Sequence, residues 1–222
     1  MLVSEIFASI QGEGVSAGVP STFLRLAECN LKCAWCDTKY TWDWDHFDRA
    51  AEVHELDEAA VLERIGAAKN VVITGGEPLL QQEALVRVAG ALQARGARIE
   101  IETSGTIEPV ADFADQWNVS PKLESSGNKL TARLRAAPLA WFAARQSAYW
   151  KFVIVEPSDL REVEEIVTRF AVPAARVVLM PEGTEPIALQ ARSGWLADEC
   201  ARRGYRFSTR LHVLLWGGKR GT

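Results

Sequence analysis

Short apolar runs that alternate with amphipathic segments set the hydrophobic pattern of this chain. Residues 70–74 and 149–155 are rich in β-branched and aromatic side chains and are bounded by turn residues, which is typical of buried strands. Between such runs, apolar side chains recur three or four positions apart, as on one face of a helix. Regular alternation of strands and helices predicts an α/β fold with a mostly parallel sheet.

The pattern assigns bounds to each element. Strands are predicted at residues 2–9, 22–26, 70–74, 98–102, 117–120, 149–155, 177–180 and 206–209. Helices are predicted at residues 57–68, 82–95, 109–115, 135–146, 158–170 and 187–203. We count about six strand–helix units, fewer than a closed barrel needs, and expect a partial (β/α)6-type barrel that forms one domain over residues 1–222. In such folds, ligands bind at the carboxyl ends of the strands.

Composition excludes several classes of protein. The chain has 222 residues and a formal net charge of −4, so its overall charge favours neither a nucleic acid nor a membrane surface as partner. It contains no apolar run approaching the roughly 18 residues of a membrane span. No basic segment followed by an apolar run begins the chain, so we expect a cytoplasmic protein.

Three of the four cysteines stand within eight residues and form the motif CxxxCxxC. Thiolates suit soft metals and iron–sulfur clusters, and Cys29, Cys33 and Cys36 can hold a [4Fe–4S] cluster with one iron left open. Structural zinc normally takes four protein ligands, so a zinc site would need His46 or Cys200 as well. Cys200 lies in a helical pattern beside apolar residues, which favours a buried thiol.

The motif resembles that of the radical S-adenosylmethionine superfamily, in which an aromatic residue, here Trp35, precedes the last cysteine. Gly75, Gly76 and Glu77 follow a predicted strand and look like the superfamily's GGE motif, which holds the methionine amino group. The resemblance implies a [4Fe–4S] cluster, bound S-adenosylmethionine and a 5′-deoxyadenosyl radical.

Further segments resemble the 7-carboxy-7-deazaguanine synthases of queuosine and deazapurine biosynthesis. They are SIQGEG at residues 9–14, Arg25, and residues 36–38, 74–78, 102–106 and 120–122. The resemblance implies a carbon–nitrogen lyase that converts 6-carboxy-5,6,7,8-tetrahydropterin to 7-carboxy-7-deazaguanine. The radical would remove hydrogen from C6, after which the ring contracts and ammonia leaves. Mg²⁺ and a homodimer are also implied.

The expected site residues fall into groups by ligand. The cluster ligands would be Cys29, Cys33 and Cys36. The contacts to S-adenosylmethionine would be Trp35, Cys36, Asp37, Gly76, Glu77, Ser120, Pro121, Lys122, Met180, Pro181, Glu182 and Gly183. The contacts to the pterin would be Ile10, Gln11, Gly12, Arg25 and Thr74, and Mg²⁺ would bind Thr38. His212, just past the last predicted strand, is a further candidate for contact with the substrate.

Residue chemistry supports part of this assignment. Arg25 offers a bidentate fork for the substrate carboxylate, and Gln11 offers amide hydrogen bonds to a pterin edge. Carboxylates such as Glu13 and Glu102 accept from N–H groups. The acidic loop at residues 41–55 is interpreted as solvated, and residues 217–222 as a flexible end.

Two other functions remain open on the sequence. A glycyl-radical-enzyme activase would share the small fold and the cysteine motif, and would act on a protein partner. A non-catalytic electron-transfer or zinc-binding module would need only the cysteines. If the chain is a radical enzyme, we expect an electron donor such as flavodoxin.

Overall fold

A computed structural model describes every residue from Met1 to Thr222 and contains one sheet of nine strands. The strands are β1 Leu2–Ile10, β2 Pro20–Leu26, β3 His54–Glu55, β4 Asn70–Gly75, β5 Arg98–Thr103, β6 Gln116–Val119, β7 Ala148–Ile154, β8 Val177–Pro181 and β9 Arg206–Phe207. The helices are α1 Arg49–Glu52, α2 Glu58–Ile65, α3 Gln82–Ala94, α4 Leu130–Arg133, α5 Ala136–Ala143, α6 Asp159–Arg169, α7 Pro186–Arg203 and α8 Leu211–Trp216.

The sheet is open and mostly parallel, as expected for a partial barrel. Its order is β3-β1-β2-β4-β5-β6-β7-β8-β9, and every pair from β2 to β9 is parallel. β1 runs antiparallel to both of its neighbours, so the polypeptide enters the sheet through a hairpin-like connection. No helix of the protein is both long and apolar enough to cross a bilayer.

Side chains alternate strictly between the two faces of the central strands. In β5, Ile99 and Ile101 belong to the hydrophobic core, while Glu100 and Glu102 point to the opposite face. The same alternation in β7 places Trp150 in the core and Lys151 on the polar face. The helices therefore cover an apolar outer face, and the inner face of the partial barrel is polar.

The helix predicted at residues 109–115 is wrong, because this segment is an irregular loop. Two side-chain hydrogen bonds hold this loop, one accepted by Gln82 of α3 and one accepted by the loop's own Asp115. Gln82 Oε1 accepts the Val110 N–H at 2.8 Å, and Asp115 Oδ2 accepts the Ile99 N–H at 2.8 Å. The predicted strand at residues 206–209 is also shorter, and pairs with β8 through two residues.

Candidate functional site

The three motif cysteines lie in the loop that follows β2 and carry free thiols. Cys33 is buried, and the other two are partly buried. Burial raises the pKa of Cys29 to about 12 and also raises the pKa of Cys33. These thiols are therefore neutral until a metal displaces their protons. Three thiols in one loop are a donor set that fits an iron–sulfur cluster.

The glycine pair at the end of β4 lets the cysteine loop approach the sheet. A Cβ on Gly75 would lie 2.1 Å from the Leu26 carbonyl oxygen, and one on Gly76 would lie 2.0 Å from that of Glu28. The Gly76 N–H donates to Leu26 O at 3.0 Å. The pair thus positions Cys29, whose Cβ would be 3.0 Å from a Cβ on Gly76.

Glu77, which follows β4, is hydrogen-bonded within the protein. Its carboxylate is fully buried and accepts hydrogen bonds from Thr103 Oγ1 at 2.8 Å and from the Ser104 N–H at 2.8 Å. The Leu79 N–H and the Ser104 hydroxyl complete its partners. Both carboxylate oxygens accept hydrogen bonds within the protein, so Glu77 joins the ends of β4 and β5.

A cavity of about 340 Å³ opens beside the cysteines, at the carboxyl ends of the parallel strands. It brings together most of the residues that the sequence singles out. Those lining it are Ile10, Gln11, Gly12, Arg25, Cys29, Cys33, Trp35, Cys36, Asp37, Thr38, Thr74, Gly76, Ser120, Lys122, Met180, Glu182, Gly183 and His212. The residues outside the lining are Glu77, Pro121 and Pro181, because all three side chains are buried in the protein.

The floor of the cavity is a hydrogen-bonded group of polar side chains. Gln11 Nε2 donates to Glu100 Oε1 at 2.7 Å and to Glu102 Oε1 at 3.2 Å. Thr74 Oγ1 donates to Glu102 Oε2 at 2.8 Å, and Asn118 Nδ2 donates to Glu100. The Gln11 amide group is therefore held by the protein, and of the two carboxylates it contacts, Glu102 lines the cavity.

One wall of the cavity carries alternating charges. Glu13 pairs with Lys151 from β7 and, at 2.9 Å, with Nε of Arg210, whose guanidinium also bonds Asp37. Burial would raise the pKa of Glu13, but Lys151 and Arg210 outweigh it and hold that pKa well below its usual range. The Lys151 pKa is raised, since its attraction to Glu13 and Glu102 exceeds the effect of burial. Glu13 and Lys151 are thus both charged at neutral pH.

Arg25 of β2 also lines the cavity. Its one side-chain hydrogen bond runs from Nε to Glu5 Oε2 at 2.9 Å, so its two terminal nitrogens have no protein partner. Glu5 also accepts from Tyr40 at 2.9 Å and from Arg220. Arg220 lies 3.8 Å above the Tyr40 ring and bonds Glu52, so the segment interpreted as a flexible end folds over the cavity.

His212 lies on α8 and contacts the strand segment expected to bind the pterin. A Cβ on Gly12 would lie 1.9 Å from His212 Nδ1, and the Leu211 N–H donates to Gly12 O at 2.8 Å. Burial lowers the His212 pKa, although Glu13 opposes this shift. The imidazole is therefore neutral near pH 7 and can both donate and accept a hydrogen bond.

Comparison with known proteins agrees with this geometry. The family model described as the radical SAM superfamily matches residues 26–142, which span the cysteine loop and the strands beyond it. A 7-carboxy-7-deazaguanine synthase from Pyrobaculum aerophilum is 40% identical over 99% of this chain and 96% of its own length. The chain belongs to the 7-carboxy-7-deazaguanine synthase family of radical SAM enzymes.

Solved structures support the family and the fold separately. The crystal structure of QueE from Escherichia coli superposes with a TM-score of 0.71, at 28% identity over 95% of this chain and 94% of that one. Streptococcus suis SuiB bound to S-adenosylmethionine has a TM-score of 0.57 at 13% identity, over 84% of this chain and 49% of that one. The second likeness shows the fold alone.

Membership in the 7-carboxy-7-deazaguanine synthase family confirms the expected radical enzyme, its cluster and its S-adenosylmethionine. It also decides against the activase and the non-catalytic module as interpretations of the chain. No three His, Cys, Asp or Glu side chains converge as a single metal ion requires. In a cubane cluster each cysteine binds a different iron, so the three thiols need not converge on one point.

Sequence reasoning missed several residues of this synthase-family cavity. Lys151 carried a usable signal, because a lysine inside the apolar run of β7 requires a buried partner. Arg210 and Arg220 follow the last strand in a segment without a recognisable pattern, so nothing local marked them.

Proposed function

We propose that the chain, as a single radical SAM domain over residues 1–222, converts 6-carboxy-5,6,7,8-tetrahydropterin to 7-carboxy-7-deazaguanine with loss of ammonia, in queuosine or deazapurine biosynthesis. The observation that carries this proposal is the joint lining of one cavity by the cysteine loop and by Arg25, whose terminal nitrogens have no hydrogen-bond partner in the protein. The names of full-length relatives support it independently.

Cys29, Cys33 and Cys36 would hold the cluster and would leave one iron without a cysteine ligand, available to the methionine end of S-adenosylmethionine. When bound and reduced, these groups supply the 5′-deoxyadenosyl radical that takes hydrogen from C6. The remaining contacts to S-adenosylmethionine come from polar and backbone groups along the rim. They are Trp35, Asp37, Gly76, Ser120, Lys122, Met180, Glu182 and Gly183. Lys122 Nζ lies 5.6 Å from the Trp35 ring and donates to Ser120 Oγ at 2.9 Å, so this part of the rim is ordered before a ligand arrives.

Arg25 receives the pterin carboxylate. A guanidinium presents two parallel N–H groups that match the two carboxylate oxygens. Glu5 fixes the guanidinium through Nε and leaves that fork directed at the cavity. Glu102 accepts from N–H groups of the amino-pyrimidine ring, and Thr74 keeps its carboxylate in place.

The segment Ile10, Gln11 and Gly12 supports the ring from the floor of the cavity. Gln11 acts indirectly here, since its amide group orients Glu102 instead of facing the ligand. Neutral His212 adds a hydrogen bond at the side of Gly12. Mg²⁺ binds Thr38 together with substrate oxygens and water, as a hard cation prefers.

The enzyme acts as a homodimer and receives its electron from flavodoxin or a similar carrier. Both features are expected from the family that the sequence resembles. Sedimentation of the purified protein would show one species of twice the chain mass. A sedimenting monomer at micromolar concentration would contradict the dimer without touching the reaction.

The decisive experiment is anaerobic turnover with matched cysteine variants. Protein reconstituted with iron and sulfide, then reduced, is incubated with S-adenosylmethionine, Mg²⁺ and 6-carboxytetrahydropterin, and products are followed by mass spectrometry. We expect 7-carboxy-7-deazaguanine from the natural protein and from Cys200→Ala, because Cys200 is a buried thiol of α7 outside the cavity. We expect none from Cys33→Ala. Formation of 5′-deoxyadenosine with the pterin unchanged would refute the substrate.

A further inference from the structure

Each sulfur of the cysteine motif accepts one N–H donor, and two of the donors are side chains remote from the motif's own turn. The Leu31 backbone N–H lies 3.4 Å from Cys29 Sγ. Asn128 Nδ2 lies 3.3 Å from Cys33 Sγ, and Trp42 Nε1 lies 3.4 Å from Cys36 Sγ. N···S distances of this length fit hydrogen bonds to sulfur, which is larger than oxygen.

The orientation of the Asn128 amide follows from its second contact. Its Oδ1 lies 2.9 Å from the backbone N of Lys32, which can only donate. The oxygen must therefore face Lys32, and the NH₂ group must face Cys33. One side chain thus holds the cysteine loop and donates to its central sulfur.

The segment that carries Asn128 is fitted against the cysteine loop. The Ala34 N–H donates to Ser126 O at 3.0 Å. Gly127 adopts a left-handed conformation with φ of 77°, and a Cβ there would already lie 3.9 Å from Ala34. Asn128 is therefore delivered to the sulfur by backbone contacts and not by a free loop.

Trp42 reaches Cys36 from the opposite side. Indole Nε1–H is a donor without acceptor capacity, so the sulfur must accept. The Trp42 N–H is bound to Lys39 O at 3.0 Å, which closes a single 3₁₀ turn and fixes the ring's entry. Thr38 Oγ1, 3.6 Å from the same sulfur, is the other polar neighbour.

Hydrogen bonds to the sulfurs help to set the reduction potential of an iron–sulfur cluster. A donor stabilises the state with more negative charge on sulfur, and that is the reduced state. We propose that Asn128 and Trp42 are positioning residues that raise the reduction potential of the cluster, and so set how readily it accepts an electron from the carrier.

The test is a reductive titration of reconstituted protein followed by electron paramagnetic resonance, without pterin or S-adenosylmethionine. Asn128→Ala removes the side-chain contacts to Lys32, Cys33 and Ser126. Asn128→Asp keeps the acceptor for Lys32 and removes the donor, and Trp42→Phe removes the Cys36 donor. Asn70→Asp is the matched control, because Asn70 bonds Pro20 O at the other end of the strands. Iron per chain is measured for each variant.

We expect a lower potential in all three variants and no change in the control. A tenfold fall in the equilibrium constant for one-electron reduction corresponds to about 59 mV, and we expect this constant to fall several-fold to tenfold. The potential should fall furthest in Asn128→Asp, because this variant also adds a negative charge.

An unchanged potential at full iron content would overturn the proposal. Loss of iron from both Asn128 variants, with iron retained in the control, would also overturn it for that residue, which would then be a structural anchor. A shift confined to one residue would overturn the role of the other. Because no pterin is present, failure here is independent of the reaction proposed above.

Discussion

Replacing Lys151 by Met tests whether the charged wall holds the barrel together. The Lys151 side chain is 8% exposed, and its partner Glu13 is 14% exposed. Removing one member of a buried ion pair costs about 3–5 kcal/mol, because the other charge is left without compensation. Arg210 Nε remains 2.9 Å from Glu13, so we expect the lower end, a loss of about 3 kcal/mol.

The assay is denaturant unfolding of the protein without its cluster, under reducing and anaerobic conditions. The loss should shrink when Glu13→Gln is added to Lys151→Met, since the double variant no longer buries an unmatched carboxylate. A recovery of about 1 kcal/mol or more measures the coupling of the two side chains. Met keeps most of the length and apolar stem of Lys, so packing changes little.

Arg161→Ala provides the control. Arg161 and Glu165 form an exposed pair at 3.9 Å on α6, with the Arg161 side chain 88% exposed. Such a pair contributes less than about 0.5 kcal/mol. A loss below about 1 kcal/mol for Lys151→Met, or a double variant no more stable than the single one, would refute the charge argument.

Further predictions concern the cavity. Gly76→Ala should prevent retention of iron on reconstitution, because a Cβ would lie 2.0 Å from the Glu28 carbonyl oxygen, whereas Gly90→Ala, with nothing within 4 Å, should retain it. Arg25→Lys should raise KM for the pterin about tenfold with a smaller effect on kcat, since Lys lacks the bidentate fork; an unchanged KM would exclude the carboxylate contact. The depressed pKa of Glu13 stabilises the protein above its ordinary value of 4.5, and this stability is lost as pH falls below it, so Glu13→Gln should flatten the acid limb of a pH–stability curve.

The sequence predicted the sheet because the strands carry their own signal. β5 reads as an alternation of isoleucine and glutamate, and β8 is a short apolar run with a turn beyond it. Such signals depend on neighbours in the sequence. The helix predicted at residues 109–115 is wrong. Gln82 accepts the Val110 N–H and Asp115 accepts the Ile99 N–H, and no local pattern in the sequence records these contacts.

The cysteine half of the cavity could also be predicted, whereas the charged half could not. Cys29, Cys33 and Cys36 lie within eight residues of the sequence, so their spacing alone indicates a shared metal group. Glu13 meets partners 138 and 197 residues further along the chain. The sequence marks Glu13 as part of the SIQGEG segment but does not indicate which cations it pairs with.

This division has a physical consequence for specificity. SuiB shares the fold at 13% identity, so this fold can be kept while most side chains change. In this protein, the groups that would distinguish a carboxylated pterin are those from outside the motif: Arg25 with its terminal nitrogens free, Glu102 and the C-terminal segment bearing Arg220. They are charged groups held by hydrogen bonds within the protein, Glu102 by Thr74 and both arginines by Glu5. A ligand without a carboxylate would leave the Arg25 fork unpaired in the cavity, which is a stronger ground for rejection than a poor fit of shape.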